Sequence, residues 1–196
     1  LRADAVIPLG VRRSVAPDVS TSTWNTDGEL VVLIAGFIYP GKGHAVAIEA
    51  AARAAASLRE RGRTVSRVVV RAIGRPSPGH ERDVDALAAR GREVGVDVEV
   101  TGFLSDADFA RRIGGPGIPL AAHEHLSASR SMLDWIEAGR RPLVVRSRYA
   151  EETAALRPGT LALYDAEALA DELATRWADP SLTRLAAGVP LGPSIA

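Results

Sequence analysis

Ala121-Ala-His-Glu-His-Leu-Ser-Ala-Ser-Arg-Ser-Met-Leu-Asp-Trp-Ile-Glu-Ala-Gly139 passes from an apolar run through a polar turn into an amphipathic segment. The apolar run, residues 117–122, reads as a short buried strand. Ser127 and Ser129 both suit a helix N-cap, because a hydroxyl oxygen can accept from the unpaired amides of a first turn. Met132, Leu133 and Ile136 recur at helical spacing, and Gly139 suits the C′ position that ends a helix. A further strand follows at once over residues 142–146. Strand, serine-rich turn and helix N-terminus together make an anion site, since unpaired amides and the positive end of the helix dipole point over the turn. Asp134 and Glu137 lie one turn apart, where a carboxylate can accept from sugar hydroxyls. The serines serve equally well as plain caps, and the acids as surface charges.

Working outward, the same alternation repeats. Residues 30–35 are a continuous β-branched run, the pattern of a central parallel strand. A glycine loop, residues 36–43, leads into an alanine-rich helix over 44–61 that Gly62 stops. A strand over 65–73 and a helix over 80–94 follow, the helix carrying Val84, Leu87 and Ala88 on its apolar face. Residues 96–101 alternate as a strand, and Ser105 caps a short helix broken by the glycines at 114–117. Ser147 opens another helix, residues 160–164 form a last strand, and 165–177 an amphipathic helix. Residues 1–187 are read as one domain and 188–196 as a loose Pro/Gly-rich tail. The expected fold is α/β: a Rossmann-like open parallel sheet with helices on both faces. Ligands on such sheets bind at the carboxyl ends of the strands, where loops 36–43, 102–105 and 123–129 emerge.

Composition narrows the function classes. Of 196 residues, 46% are apolar, enough for a sizeable core. Lys+Arg and Asp+Glu are 24 each, a balance that argues against a dedicated nucleic-acid binder. The chain has no cysteine and only four histidines; His123 and His125 lack an evident third ligand, so no metal site is expected. No apolar run is long enough to cross a bilayer and no signal peptide is visible, so a cytoplasmic location is expected. The first loop lacks Gly-x-Gly-x-x-Gly spacing, which argues against a dinucleotide oxidoreductase. The first residues read like the middle of a longer protein.

In order and spacing, Ile7-Pro-Leu-Gly10, Ala35-Gly-Phe-Ile-Tyr-Pro-Gly-Lys-Gly43, Val100-Thr-Gly-Phe103 and Asp134-Trp-Ile-Glu-Ala-Gly-Arg-Arg-Pro-Leu-Val-Val145 resemble the carboxyl-terminal, donor-binding domain of retaining GT-B glycosyltransferases. The resemblance implies one half of a GT-B fold, with the acceptor-binding amino-terminal domain absent from this chain. It implies a nucleoside diphosphate sugar as donor substrate, no separate cofactor and no metal. Gly36 matches the glycine that lets backbone approach the diphosphate. Lys42, followed by Gly43, matches the lysine that neutralises the phosphates. Phe103 and Leu104 match the segment that holds the base, and Ser127 and Ser129 fall in the turn that sets amides against the phosphates. Asp134 stands where the family has the glutamate that binds ribose. Two positions depart from the pattern. Phe37 replaces an arginine, leaving Lys42 with Arg130 or Arg75 to supply charge. The family interval from Asp134 falls on Leu126 rather than on the first motif glutamate, with Glu124 close by.

What the resemblance implies is a hexosyl-type glycosyltransferase that retains anomeric configuration, with Lys42 and Glu124 as its catalytic candidates and this half alone inactive. The alternative is a non-catalytic nucleotide-binding or interaction module on the same fold, which Phe37 and Leu126 favour. A sugar-nucleotide epimerase half shares the architecture. Phe37, Ile38 and Tyr39 are expected to be exposed at the cleft, where the missing half would cover them.

Overall fold

Glu29-Leu-Val-Val-Leu-Ile-Ala35 forms β1, the strand on which the sheet is built. In a computed structural model that describes residues 10–11, 28–124 and 129–191, Leu30, Val32 and Ile34 belong to one apolar cluster and Leu33 and Ala35 to another. Side chains alternate across a strand, so a strand apolar at every position from Leu30 to Ala35 must be covered on both faces. The elements that cover it follow in sequence: α1 (His44–Glu60), β2 (Arg67–Ile73), α2 (Glu81–Val94), β3 (Asp97–Val100), α3 (Asp106–Gly114), β4 (Ile118–Ala121), α4 (Arg130–Glu137), β5 (Leu143–Val145), α5 (Arg148–Leu156), β6 (Ala162–Tyr164) and α6 (Leu169–Ala178).

The six strands pair in the order β3-β2-β1-β4-β5-β6, and every pairing is parallel. β1 and β2 run in register from Glu29 opposite Arg67 to Ala35 opposite Ile73. The expected fold is therefore the observed one. Strand order reverses between β1 and β4, which splays the loops leaving those two strands and opens a crevice above their carboxyl ends.

The alanines of α1 bring its backbone close to the sheet, and Ala47, Ile48, Ala51, Ala54 and Leu58 join Leu169, Leu173 and Trp177 of α6 in one core. On the opposite face Met132, Leu133 and Ile136 of α4 pack with Val144 and with Ala150 of α5, while Trp135 packs with Leu33 and Ile73. Among the described residues no helix is long and apolar enough to cross a membrane.

The expected tail departs from the structure at its start. Arg157 Nε donates to the Leu191 carbonyl at 2.8 Å, and Leu191 packs against the α4 core. The chain is thus docked as far as Leu191; residues 192–196 lie outside the described residues. Ile38 is a second correction. Expected to be exposed, it is buried, because loop 36–43 bridges to the loop after β2 at Ile38 and Pro76, with Ile38 N–H donating to Arg75 O at 2.9 Å. Phe37 and Tyr39 on either side of it are exposed as expected.

Candidate functional site

Two glycines set the shape of the crevice. Gly43 has φ 96°, and a Cβ built on it would lie 2.3 Å from the Ala122 carbonyl oxygen. Only glycine lets the entry to α1 press this closely on the end of β4. Gly74 does the same for the other wall: its Cβ would fall 2.0 Å from the Gly36 oxygen. Among the described residues no side chain caps α1 and no acid stands in its first turn. The positive end of a 17-residue helix is therefore open toward the loop. By contrast Ser105, Ser129 and Ser147 cap α3, α4 and α5, accepting from Asp108 N, Met132 N and Ala150 N.

Lys42 sits between these walls. It is buried, only 5% exposed, and its Nζ donates to Ser131 Oγ at 3.0 Å and meets His123 Nε2 at 2.8 Å. Among the described residues no carboxylate is ion-paired with it. A Cβ on Gly36 would stand 3.3 Å from Nζ, so the glycine keeps open the space beside the ammonium. Loss of hydration on burial lowers the Lys42 pKa from 10.5 to about 8, against the opposing pull of Asp134. Burial, with the nearby ammonium, also pushes His44 and His123 down to about 4, so both imidazoles are neutral near pH 7.

Gly36 also borders a cleft of about 240 Å³ over the ends of β1, β2 and β3, lined by Phe37, Arg75, Phe103 and Leu104. Phe103 is 79% exposed. The Arg75 guanidinium lies 5.7 Å from the Phe37 ring centroid and 5.8 Å from that of Phe103, a distance at which the ring quadrupoles attract the cation. An aromatic cleft thus opens past one small residue onto a buried ammonium and a helix N-terminus. That sequence of surfaces accommodates a planar ring at one end and an oxyanion at the other.

The structure brings Gly36, Lys42 and Gly43 together, and places Phe103 and Leu104 on the adjoining cleft. Asp134 projects from α4 toward Lys42, but Arg130 Nε already holds its carboxylate at 2.8 Å. Burial raises the Asp134 pKa, an effect Arg130 opposes. Glu124 is exposed; its backbone N–H donates to Gly41 O at 3.0 Å, and its carboxylate stands beside the glycine loop. Ser129 is occupied as the α4 cap, with its hydroxyl 3.2 Å from that of Ser131. Ser127, His125 and Leu126 lie outside the described residues. Among the described residues no group of three metal-ligating side chains occurs.

Sequence reasoning passed over Ser131, the hydroxyl that Lys42 reaches. A signal was nevertheless present: Lys42 is the sole lysine among 24 basic residues. In a chain that otherwise uses arginine throughout, a compact ammonium at one position marks a site whose geometry a planar guanidinium does not fit.

No family model and no curated protein sequence matches the chain. Solved structures do. HepE of Anabaena, in complex with UDP and glucose, superposes with a TM-score of 0.61 at 18% identity, over 80% of this chain and 41% of that one. WaaG, a glycosyltransferase involved in lipopolysaccharide biosynthesis, gives 0.59 at 19% identity over 88% of this chain and 48% of its own. TarM gives 0.61 at 12% identity, over 88% and 32% respectively. The chain spans less than half the length of each of these proteins. An all-parallel six-stranded sheet in the order 3-2-1-4-5-6, helices on both faces and this match in length together give the chain the Rossmann-like fold of one half of a GT-B glycosyltransferase.

Proposed function

We propose that the chain is the donor-binding half of a glycosyltransferase, the domain that holds a nucleoside diphosphate sugar. The observation that carries this reading is the buried Lys42 ammonium, held by neutral partners beside an uncapped helix N-terminus. A buried cation without a counter-charge costs folding free energy unless an anion arrives to meet it. The aromatic cleft at Gly36 takes the base, stacked on Phe103, and the diphosphate then reaches Lys42 over the glycine. Binding of UDP or UDP-glucose by solved structures of the same fold supports this placement.

In the reaction the bond between the sugar's anomeric carbon and the diphosphate breaks, and negative charge grows on the departing phosphate oxygen. Lys42 and the α1 amides stabilise that charge where it develops. The reading extends to a hexosyl donor and transfer with retention. Glu124 is placed at the rim, toward the acceptor, which a separate amino-terminal half would hold. No step in this scheme draws on a metal ion.

Calorimetric titration with UDP, GDP, ADP and dTDP, repeated on Lys42→Ala, tests the reading. The expected result is binding of one of them that weakens about tenfold or more in the variant, near 1.4 kcal/mol. Failure of all four to bind a demonstrably folded chain would sink it. Phe37, which sets a ring where the resembling family has a phosphate-binding arginine, favours a second reading: a non-catalytic nucleotide-binding module. A full-length protein that binds the nucleotide but transfers no sugar would decide for it.

A further inference from the structure

An ammonium that must attract a diphosphate has two opposed requirements: it must be fixed in place, and it must keep its charge. A carboxylate would meet the first and defeat the second. At Lys42 both hydrogen-bond partners are uncharged, His123 Nε2 at 2.8 Å and Ser131 Oγ at 3.0 Å. The nearby carboxylate, Asp134, is tied to Arg130 at 2.8 Å. An ammonium has three N–H groups. Two are taken, which leaves the third for the side where Gly36 keeps space open.

For Nε2 to accept from Lys42, the proton of the neutral ring must sit on Nδ1. Among the described residues Nδ1 has no partner and is out of contact with solvent. His123 is itself 93% buried, being 7% exposed. Among the described residues the side chain of His123, just past β4, has one hydrogen-bond partner, Lys42.

Resting on the donor-site reading, we propose that His123 is a positioning residue: a neutral acceptor that seats the Lys42 ammonium without cancelling its charge, so that the whole charge is available to the diphosphate.

The titratable and charged groups around this pair are His44 from α1, Asp134 with Arg130 from α4, and Glu124 following β4 across from Gly41. His44 and His123 both stay neutral at pH 6 and above, held down by burial and by Lys42. Lys42, lowered to about 8, is then the group that takes up a proton when an anion binds between pH 8 and 10.

Because the chain has a single lysine, its ¹³Cε resonance titrates alone and reads this pKa directly. The experiment compares the natural chain with His123→Gln, His123→Glu and His123→Phe, in the free chain and with the tightest-binding of the four nucleoside diphosphates and inorganic pyrophosphate as probes. Gln retains a neutral acceptor at similar reach and is expected to hold affinity within about threefold, with the lysine titrating as in the natural chain. Glu, of the same shape but charged, is expected to raise the lysine pKa by about a unit or more and weaken binding about tenfold or more. Phe, with no acceptor, is expected to weaken binding about as much, with a lysine pKa at or below the natural one. A Glu variant that binds as tightly as the Gln variant, or a Phe variant that binds like the natural chain, would overturn the proposal. Should His123→Glu not fold, the Gln and Phe pair decides. If the folded natural chain binds no diphosphate, the donor-site reading fails, and the lysine titrations of the free chains alone still decide whether His123 seats the ammonium.

Discussion

Replacing Lys42 with methionine should make the protein more stable and unable to bind its anion. The side chain is buried, and burial lowers its pKa from 10.5 to about 8. At about 1.4 kcal/mol per unit, carrying the charge costs the folded state about 3 kcal/mol at pH 7. Methionine has similar length, no charge and enough flexibility to fill the same space. Against the gain stands the loss of the two hydrogen bonds to His123 and Ser131, about 2 kcal/mol together. The net expectation is a variant about 1 kcal/mol more stable at pH 7. The pH dependence is the sharper test. The folded pKa lies below the unfolded one, so between pH 8 and 10.5 the unfolded chain binds more protons than the folded chain. The stability of the natural protein therefore rises across that window relative to Lys42→Met, by about 2 kcal/mol between pH 7 and 9.5, and the variant's advantage is lost. Urea unfolding of both proteins at pH 7.0 and 9.5 measures this, and all other titrating groups cancel in the difference. A methionine variant less stable than the natural chain at pH 7, or an advantage unchanged at pH 9.5, would refute the account of Lys42 as an uncompensated buried charge.

Phe103→Ala should leave the melting temperature almost unchanged, because the ring is 79% exposed, yet weaken nucleotide binding by about 1–3 kcal/mol if a base stacks there; calorimetry and thermal unfolding of the same samples separate the two effects. Gly74→Ala should destabilise the fold by about 2–4 kcal/mol, since its Cβ would lie 2.0 Å from the Gly36 carbonyl oxygen, and chemical denaturation reads the loss. Arg140→Leu should cost about 3 kcal/mol or more, from several buried carbonyls losing a donor at about 1–3 kcal/mol each. Arg140 is fully buried, its pKa brought down to about 9 chiefly by burial, and it donates to the carbonyls of Ile113, Gly115, Gly117 and Thr183, each of which would lose that donor. Denaturation midpoints test it.

Much of the architecture could be read along the chain because its causes are local. The unbroken apolar run of β1 required cover on both faces, and the serines at 105, 129 and 147 cap helices because an N-cap bond spans only three residues. Gly139, with φ 70°, ends α4 for an equally local reason. What escaped is what depends on distant contacts. Ile38 reads as a cleft-facing residue until the loop after β2 pairs with it. Lys42 and Ser131 are 89 positions apart, and only the placing of β4 beside β1 brings them together. The docking of Leu191 on Arg157, 34 positions away, is likewise invisible to a composition that reads as tail. Family spacing located the glycine loop and Lys42, but the group that holds Lys42 lies on another element, at a place no local pattern marks.

Lys42 and Arg140 show why burial of a charge does not by itself identify a site. Each is a cation removed from water, and in each burial lowers the pKa. Arg140 donates to four backbone carbonyls from two segments and to the Thr183 hydroxyl; the charge ties the segment before β4 to the chain after α6. Its solvation has been replaced from within the fold. Among the described residues Lys42 has two neutral partners, with space beside its ammonium that a glycine holds open and a helix end without a cap next to it. Its solvation is incomplete in a way that only an anion from outside can finish. The two residues are therefore expected to respond to removal with opposite signs: loss of Arg140 breaks contacts the fold depends on, and loss of Lys42 relieves the fold at the expense of the proposed anion site. That opposition, rather than depth of burial or degree of pKa shift, would separate a cation the fold depends on from one proposed to meet a ligand.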